Sequence, residues 1–407
     1  MTTLKKSTLA CALALATLSA FSSAQAETDK RIKIGVLTDM SGVTADATGA
    51  GSLEAAKIAI EEAGGKALGQ PIELVFADHQ HRPDIGASTA RTWFDVDGVD
   101  VIVDIPNSSV ALAVQNIARE KKKIAMFTSA GTTALTQEQC SPYGVQWAYT
   151  TYALARGTAS AVVQQGKKDW FILASDYAFG QQLAKDTSEV VTAKGGNVLE
   201  TVYHPLNTAD FSSFILSAQA SGSDILALAN AGGDTINAIK QAAEFGVGQG
   251  DQKLAAMLFM LTDAHSLGLE AAQGTYLTTP AYWDLNEGTR AFTTKFQERL
   301  HKAPTFLHAG VYGSVRHYLK AVEAAGTDDA DAVMAKMREL PIDDAFSQNA
   351  HIREDGLVVR DMLLAQVKTP SESKAPWDYY NILASIPGSE LVWPLSESQC
   401  PMVKGKD

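Results

Sequence analysis

The stretch Ile32-Lys33-Ile34-Gly35-Val36-Leu37-Thr38-Asp39-Met40-Ser41-Gly42 decides how the rest of the chain is read: an apolar run ends in a polar, glycine-bearing loop. A helix-length amphipathic segment, 52–62, follows it. The same unit recurs downstream, with apolar runs at 72–77, 99–103 and 124–127 and helical periodicity at 85–94 and 110–120. These runs lack the polar–apolar alternation of a sheet with one wet face, so they predict strands buried on both faces. Strand and helix in succession predict a parallel, doubly wound α/β sheet.

After Thr128 the pattern breaks in a polar, Gly- and Thr-rich stretch that runs to about Tyr152, then restarts. A second sheet is expected from strands at 170–174, 197–202, 225–229, 255–259 and 275–279, with helices at 153–164, 179–193, 211–220 and 235–245. Two more helices, 288–300 and 309–325, have no strand directly after them and are added to the first domain. The tail reads as a helix, 330–340, and a hairpin pairing 350–353 with 362–367 around the Asp355-Gly356 turn. Met334 and Met337 lie three apart on that helix, which is core spacing.

Lys5 and Lys6, the apolar run 9–21 and Ala24-Gln25-Ala26 read as a secretory signal peptide, 1–26, with cleavage expected after Ala26. Its apolar run is shorter than the roughly 18 residues that span a bilayer, and no later run reaches that length. A periplasmic mature chain with no membrane insertion is expected. About 380 residues remain, a length that suits two domains. An apolar fraction of 46% with 20% charged residues argues for globular packing rather than disorder. The net charge of −12 argues against nucleic acid and anionic membrane as partners. The one dense basic run, Lys121-Lys122-Lys123, reads as a solvated helix end. Removal of the signal takes Cys11 and leaves Cys140 and Cys400 in an oxidising compartment, so a disulfide between them is expected. Cysteines so far apart do not have zinc spacing.

The order of elements, with several short motifs, resembles the type I periplasmic binding proteins of the leucine/isoleucine/valine-binding family. Ile34 to Gly42 is similar to that family's first strand and cleft loop, and Gly69-Gln70-Pro71-Ile72-Glu73-Leu74-Val75 with Asp78 to its second strand. Asn107-Ser108-Ser109 and Ser129-Ala130-Gly131-Thr132-Thr133 resemble its loops after later strands. Tyr177-Ala178-Phe179-Gly180 and the segment His204 to Phe211 are similar to second-domain landmarks. The resemblance runs from about Lys33 to Val367. It implies two lobes and a three-crossing hinge, with crossings near 147–149, 282–284 and 327–330. Lobe 1 is then 27–148 with 284–327, and lobe 2 is 149–283 with 328–407. The tail through Cys400 is longer than in the family's amino-acid binders, and His79-Gln80-His81 replaces their small and acidic residues.

The resemblance also implies a ligand cleft at the carboxyl ends of the strands. Ser108, Ser109, Thr132 and Thr133 fall there and suit a carboxylate, although capping of their own helices is an equal use of such residues. From lobe 2, Tyr177, Phe179, Asn230, Gly232, Asp234 and Asp263 face the same cleft. The aromatics would wall an apolar ligand body, and Asp263 or Asp234 would meet an ammonium or else act as a helix cap. Trp147, Tyr149, Tyr282 and Trp283 cluster at the crossings, to be buried against the hinge or to wall the ligand. The His79/His81 pair lacks a third ligand at metal spacing and reads as solvated loop. No metal or cofactor is expected.

Neither a dinucleotide fingerprint, a P-loop, a nucleophile elbow nor a zinc-protease helix motif occurs in the chain. With the secretion signal, the two-lobe family resemblance implies a non-enzymatic, monomeric binding protein serving the membrane permease of an ABC importer. The ligand expected is a small organic acid, aromatic or otherwise bulky and slightly favoured over the alternative, a branched-chain amino acid. A sensor module for a membrane receptor is the other class the same fold allows.

Overall fold

In the computed structural model, which describes residues 31–248 and 250–403, the opening stretch forms β1 (Lys33–Thr38) and α1 (Gly49–Glu62). The expected signal peptide lies outside the described residues. A small hairpin, β2 (Lys66–Ala67) and β3 (Gln70–Pro71), precedes β4 (Glu73–Asp78), α2 (Pro83–Thr92), β5 (Val101–Asp104), α3 (Ser108–Lys121), β6 (Ile124–Phe127) and β7 (Gly144–Gln146). The sheet order is β4-β1-β5-β6-β7, and every pair in it is parallel. Alternate residues of β1 and β5 feed two separate cores. Ile34, Val36, Val101 and Val103 pack on one face, Leu37 and Ile102 on the other, all fully buried. This is why the apolar runs are continuous. Gly35 is fixed by close approach: a Cβ there would stand 2.6 Å from the Trp93 ring.

The second half gives α4 (Thr151–Gln164), β8 (Asp169–Ser175), α5 (Ala178–Ala193), β9 (Asn197–His204), α6 (Ser212–Ala220), β10 (Ile225–Ala229), α7 (Gly233–Glu244), β11 (Lys253–Ala256), α8 (Leu261–Leu267), α9 (Leu269–Ala272) and β12 (Tyr276–Thr279). Here too Trp170 and Ile172 enter one core while Phe171 and Leu173 enter another. Next come α10 (Glu287–Leu300), α11 (Phe306–Ala325) and α12 (Ala330–Glu339), followed by β13 (Ile342–Asp344), β14 (Ser347–Ile352), β15 (Val358–Val359), β16 (Met362–Val367) and β17 (Tyr380–Ile386). The second sheet runs β17-β16-β12-β11-β10-β8-β9, with five parallel strands and an antiparallel edge made by β16 and β17.

One expectation needs correction. The Asp355-Gly356 turn exists, but it joins β14 to the two-residue β15, while β16 pairs with β12 and β17. The open edge of β12 offers a longer ladder than a local hairpin does, and the sequence does not display that non-local partner. For the third crossing, expected near 327–330, we propose a later place. α10 and α11 pack on α1, and α12 packs on α11, with His317 Nε2 2.8 Å from the Met337 carbonyl. The Tyr143 hydroxyl donates to Asp331 at 2.7 Å, and Gln146 N donates to the Gly356 carbonyl at 2.9 Å. The chain thus stays against the first sheet until β15 and enters the second at Met362. On this packing we propose a first lobe of 31–148 with 284–359, and a second of 149–283 with 362–386.

Cys140 and Cys400 are disulfide-bonded, as expected. In the chain-entropy account, closing a loop of this length contributes about 4 to 5 kcal/mol.

Candidate ligand site between the sheets

The carboxyl ends of the strands of both sheets meet around one small cavity. Thr44, Pro106 and Ser129 line it from the first sheet, Tyr177, Phe179, Ala231, Leu258 and Met260 from the second, and Tyr149 and Leu307 complete it. Its volume is about 10 Å³, close to that of a single water. The structure is therefore closed, and a ligand enters only if the sheets part.

The floor is rigid. Asp39, at the end of β1, accepts from the amides of Ser41, Gly42 and Thr44, from the Thr44 hydroxyl at 2.7 Å and from His81 Nε2 at 2.7 Å. Burial alone would raise the Asp39 pKa, but the bonds to His81, Thr44 and Gly42 outweigh it and hold the carboxyl well below the usual range. The other His81 nitrogen faces the Asn107 amide at 2.9 Å, and Asn107 Oδ1 caps α3 by accepting from Val110 N. His79 is fully buried and its pKa is pulled to about 4, first by burial. His79 is a buried strut of the cleft loop and half-buried His81 is tied to Asp39 and Asn107, so neither is the solvated residue expected from sequence. At the end of β5, fully buried Asp104 accepts from the Ser129 and Thr128 hydroxyls, and burial raises its pKa.

The aromatic wall is Tyr149, Tyr177 and Phe179. Tyr149 donates to the Ser129 carbonyl at 2.9 Å and packs edge-on against Phe306. The rings of Tyr177 and Phe179 lie 6.1 Å apart, and burial followed by the nearby Asp234 pushes the Tyr177 phenol above its ordinary range.

Tyr177 and Phe179 thus stand where the sequence placed them. The other expected residues frame the cavity from outside its lining. Ser108 accepts from the Thr132 amide at 3.3 Å, tying the start of α3 to the next loop, and half-buried Ser109 follows it. Thr133 reaches away from the cavity to Asp186 of α5 at 3.0 Å and to Thr151 at 2.7 Å. Asn230 is occupied by His204 at 3.1 Å and Thr235 at 2.7 Å. Asp263 caps α8 by accepting from Met260 N at 2.9 Å, and burial pushes its pKa up to about 7. Gly232 faces the first lobe, with its neighbour Gly233 donating to the Val43 carbonyl at 3.0 Å. Tyr282 and Trp283 bond to the Trp377 carbonyl and do not wall this cavity. Thr44 and Ser129 were readable as polar residues of the two cleft loops. Leu258, Met260 and Leu307 carry no signal apart from core hydrophobicity.

A larger groove of about 530 Å³ lies at the opposite ends of the second-sheet strands, near Ile225, Lys253 and Tyr276. It is not where doubly wound sheets bind ligands.

Two parallel sheets facing one another across a closed cavity at their strand ends define an α/β ligand-binding protein of the type I periplasmic fold. The chain belongs to the periplasmic binding protein family, whose pattern matches residues 31–374. A periplasmic binding protein from Burkholderia mallei is 51% identical, with 92% of this chain and 100% of that one aligned and a TM-score of 0.90. A branched-chain amino acid ABC transporter periplasmic ligand-binding protein from Burkholderia xenovorans LB400 is 41% identical, over 92% of this chain and 100% of that one, at a TM-score of 0.83. The fold alone is shared with an ABC transporter solute-binding protein from Rhodopseudomonas palustris BisB5, solved with 3,4-dihydroxybenzoic acid. That protein is 24% identical over 88% of this chain and 98% of its own, with a TM-score of 0.81. Family and fold are those of transporter substrate-binding proteins. Among the described residues no helix is long and apolar enough to cross a membrane.

Proposed function

We propose that the chain is the periplasmic solute-binding component of an ABC importer. It closes around a small carboxylate-bearing ligand, an aromatic or other organic acid in preference to a branched-chain amino acid, and presents the closed form to a membrane permease as a monomer. The observation that carries the ligand class is the lining: three aromatic rings, three large aliphatic side chains and no Asp or Glu. An amino acid needs an acceptor for its ammonium, and Asp263 is spent on capping α8. Flat apolar walls suit a ring, through offset or edge contacts. The carboxylate falls to the start of α3, where the amides of Ser108 and Ser109 have no intrahelical acceptor and the helix dipole favours an anion. A ligand of about ten heavy atoms at micromolar affinity needs about −0.8 kcal/mol per atom, which near-complete enclosure supports.

The branched-chain amino acid reading is favoured by the name of the Burkholderia xenovorans relative. Calorimetry with benzoate, 4-hydroxybenzoate and leucine separates the two. The acids should bind at micromolar Kd and leucine should not, and Tyr177→Phe should weaken the bound acid by about 3- to 10-fold through loss of a hydrogen bond. Micromolar leucine binding with silent acids would reverse the assignment.

A further inference from the structure

The C-terminal tail leaves the second sheet, crosses the seam between the lobes and ends on the first. Beyond β17, the Gly388 amide donates to Asp361 at 2.8 Å, and Arg156 of α4 donates to the Glu390 carbonyl at 3.1 Å. The Trp393 ring then stacks on Tyr152, at the start of α4, with centroids 4.1 Å apart. A few residues on, the Gln399 amide donates to Gln137 at 2.8 Å, and Cys400 is bonded covalently to Cys140. Gln137 and Cys140 belong to the loop between β6 and β7, which Gln115 of α3 pins to the first lobe through the carbonyls of Leu135 and Gln139. Beneath the tail runs a groove of about 180 Å³ between that loop and α5, crossed by the Thr133–Asp186 bond.

We propose that this tail is a strap that limits how far the lobes open. The chain from Trp393 to Cys400, drawn out fully, reaches at most about 25 Å. Its far end cannot detach because it is a disulfide; at its near end the Trp393 ring is stacked on Tyr152 and Arg156 holds the Glu390 carbonyl, while Arg353 of the first lobe donates to the Trp393 carbonyl at 2.6 Å, a bond that must break before the strap is drawn out. Opening beyond the strap's reach must peel Trp393 from Tyr152. The strap therefore sets a stop on the swing while leaving the cavity mouth unblocked. The lobe division proposed above is the premise.

Small-angle scattering on the ligand-free mature protein tests this, with Cys140→Ser/Cys400→Ser and, separately, Trp393→Ala with its disulfide intact. Both should shift to a larger radius of gyration and maximum dimension, the double variant further, while each still melts cooperatively. A lowered melting temperature with scattering unchanged in both would make the tail a static staple and overturn the proposal. Where the double variant does not fold, Trp393→Ala and reductant-treated wild type decide by the same readout.

Discussion

Asp263 is held at 2% exposure with a single bond to Met260 N, and burial lifts its pKa from 3.8 to about 7. The unfolded chain releases this proton near pH 3.8, whereas the folded chain keeps it until about 7. Between those values the native state binds the extra proton, so stability falls as pH rises through the window, by on the order of 4 kcal/mol. Asp263→Asn keeps an oxygen for Met260 N and has no charge to bury. Its melting temperature should match wild type near pH 4 and exceed it increasingly up to pH 7, above which the gap is constant. Parallel melting curves for the two proteins across that range would refute the assignment. Asp234, raised to about 6 first by burial, should leave a smaller slope of the same sign. Both acids looked from sequence like candidates for a ligand ammonium. Residue type shows that an acid is near the cleft but not which way it turns. Tyr177 and Phe179 were legible because a bulky ring at a strand end has few places to go other than the cavity. Thr133 was ambiguous because one hydroxyl serves a ligand or a neighbouring helix equally well, and here it bonds Asp186.

The loop after β1 and the start of α7 touch across the seam. Gly232 has φ +56, and a Cβ there would stand 2.2 Å from the Val43 carbonyl across the seam. The backbone cost of about 1 kcal/mol for a non-glycine residue falls on open and closed forms alike, but the collision exists only when the lobes are shut. Gly232→Ala should therefore lower the melting temperature modestly and weaken by at least about 10-fold whichever of benzoate, 4-hydroxybenzoate or leucine binds wild type. Gly233→Ala is the control, since its Cβ would meet Val43 at ordinary distances of 3.6 Å and beyond. Calorimetry showing equal losses in the two variants would rule out a closure-specific clash. At this scale the sequence reads well wherever burial is two-sided: the continuous runs at β1, β5, β6, β8 and β10 declare parallel strands. It reads poorly where pairing is distant. The edge β17, with its partly exposed pattern, carries no local sign of joining the sheet, and β16 was drawn to the nearest turn for the same reason.

For the whole molecule, a cavity of about 10 Å³ cannot admit a ligand of ten heavy atoms, so function requires an open form within reach of the closed one. Among the polar contacts that cross the seam are Gly233 N to the Val43 carbonyl, and Thr133 to Asp186. The second is the more consequential because Asp186 is buried, its pKa raised by that burial, and its remaining partners are Gln182 and Thr151. Thr133→Val keeps the shape of the side chain and removes the hydroxyl, leaving a buried acid one donor short, at a cost of about 1 to 3 kcal/mol to the closed form. That loss falls on closure and not on ligand contact, and the two are separable. If Thr133 pins the seam, the ligand-free variant should show several-fold faster amide hydrogen exchange in α5 and at Gly233, with exchange in the β10 core unchanged. Affinity for an acid that binds wild type should fall only as far as closure is weakened. If Thr133 instead holds the ligand's carboxylate, as its place in the Ser129-Ala130-Gly131-Thr132-Thr133 loop first suggested, exchange without ligand will equal wild type and the whole loss will appear in calorimetry. The observed bond to Asp186 predicts the first outcome.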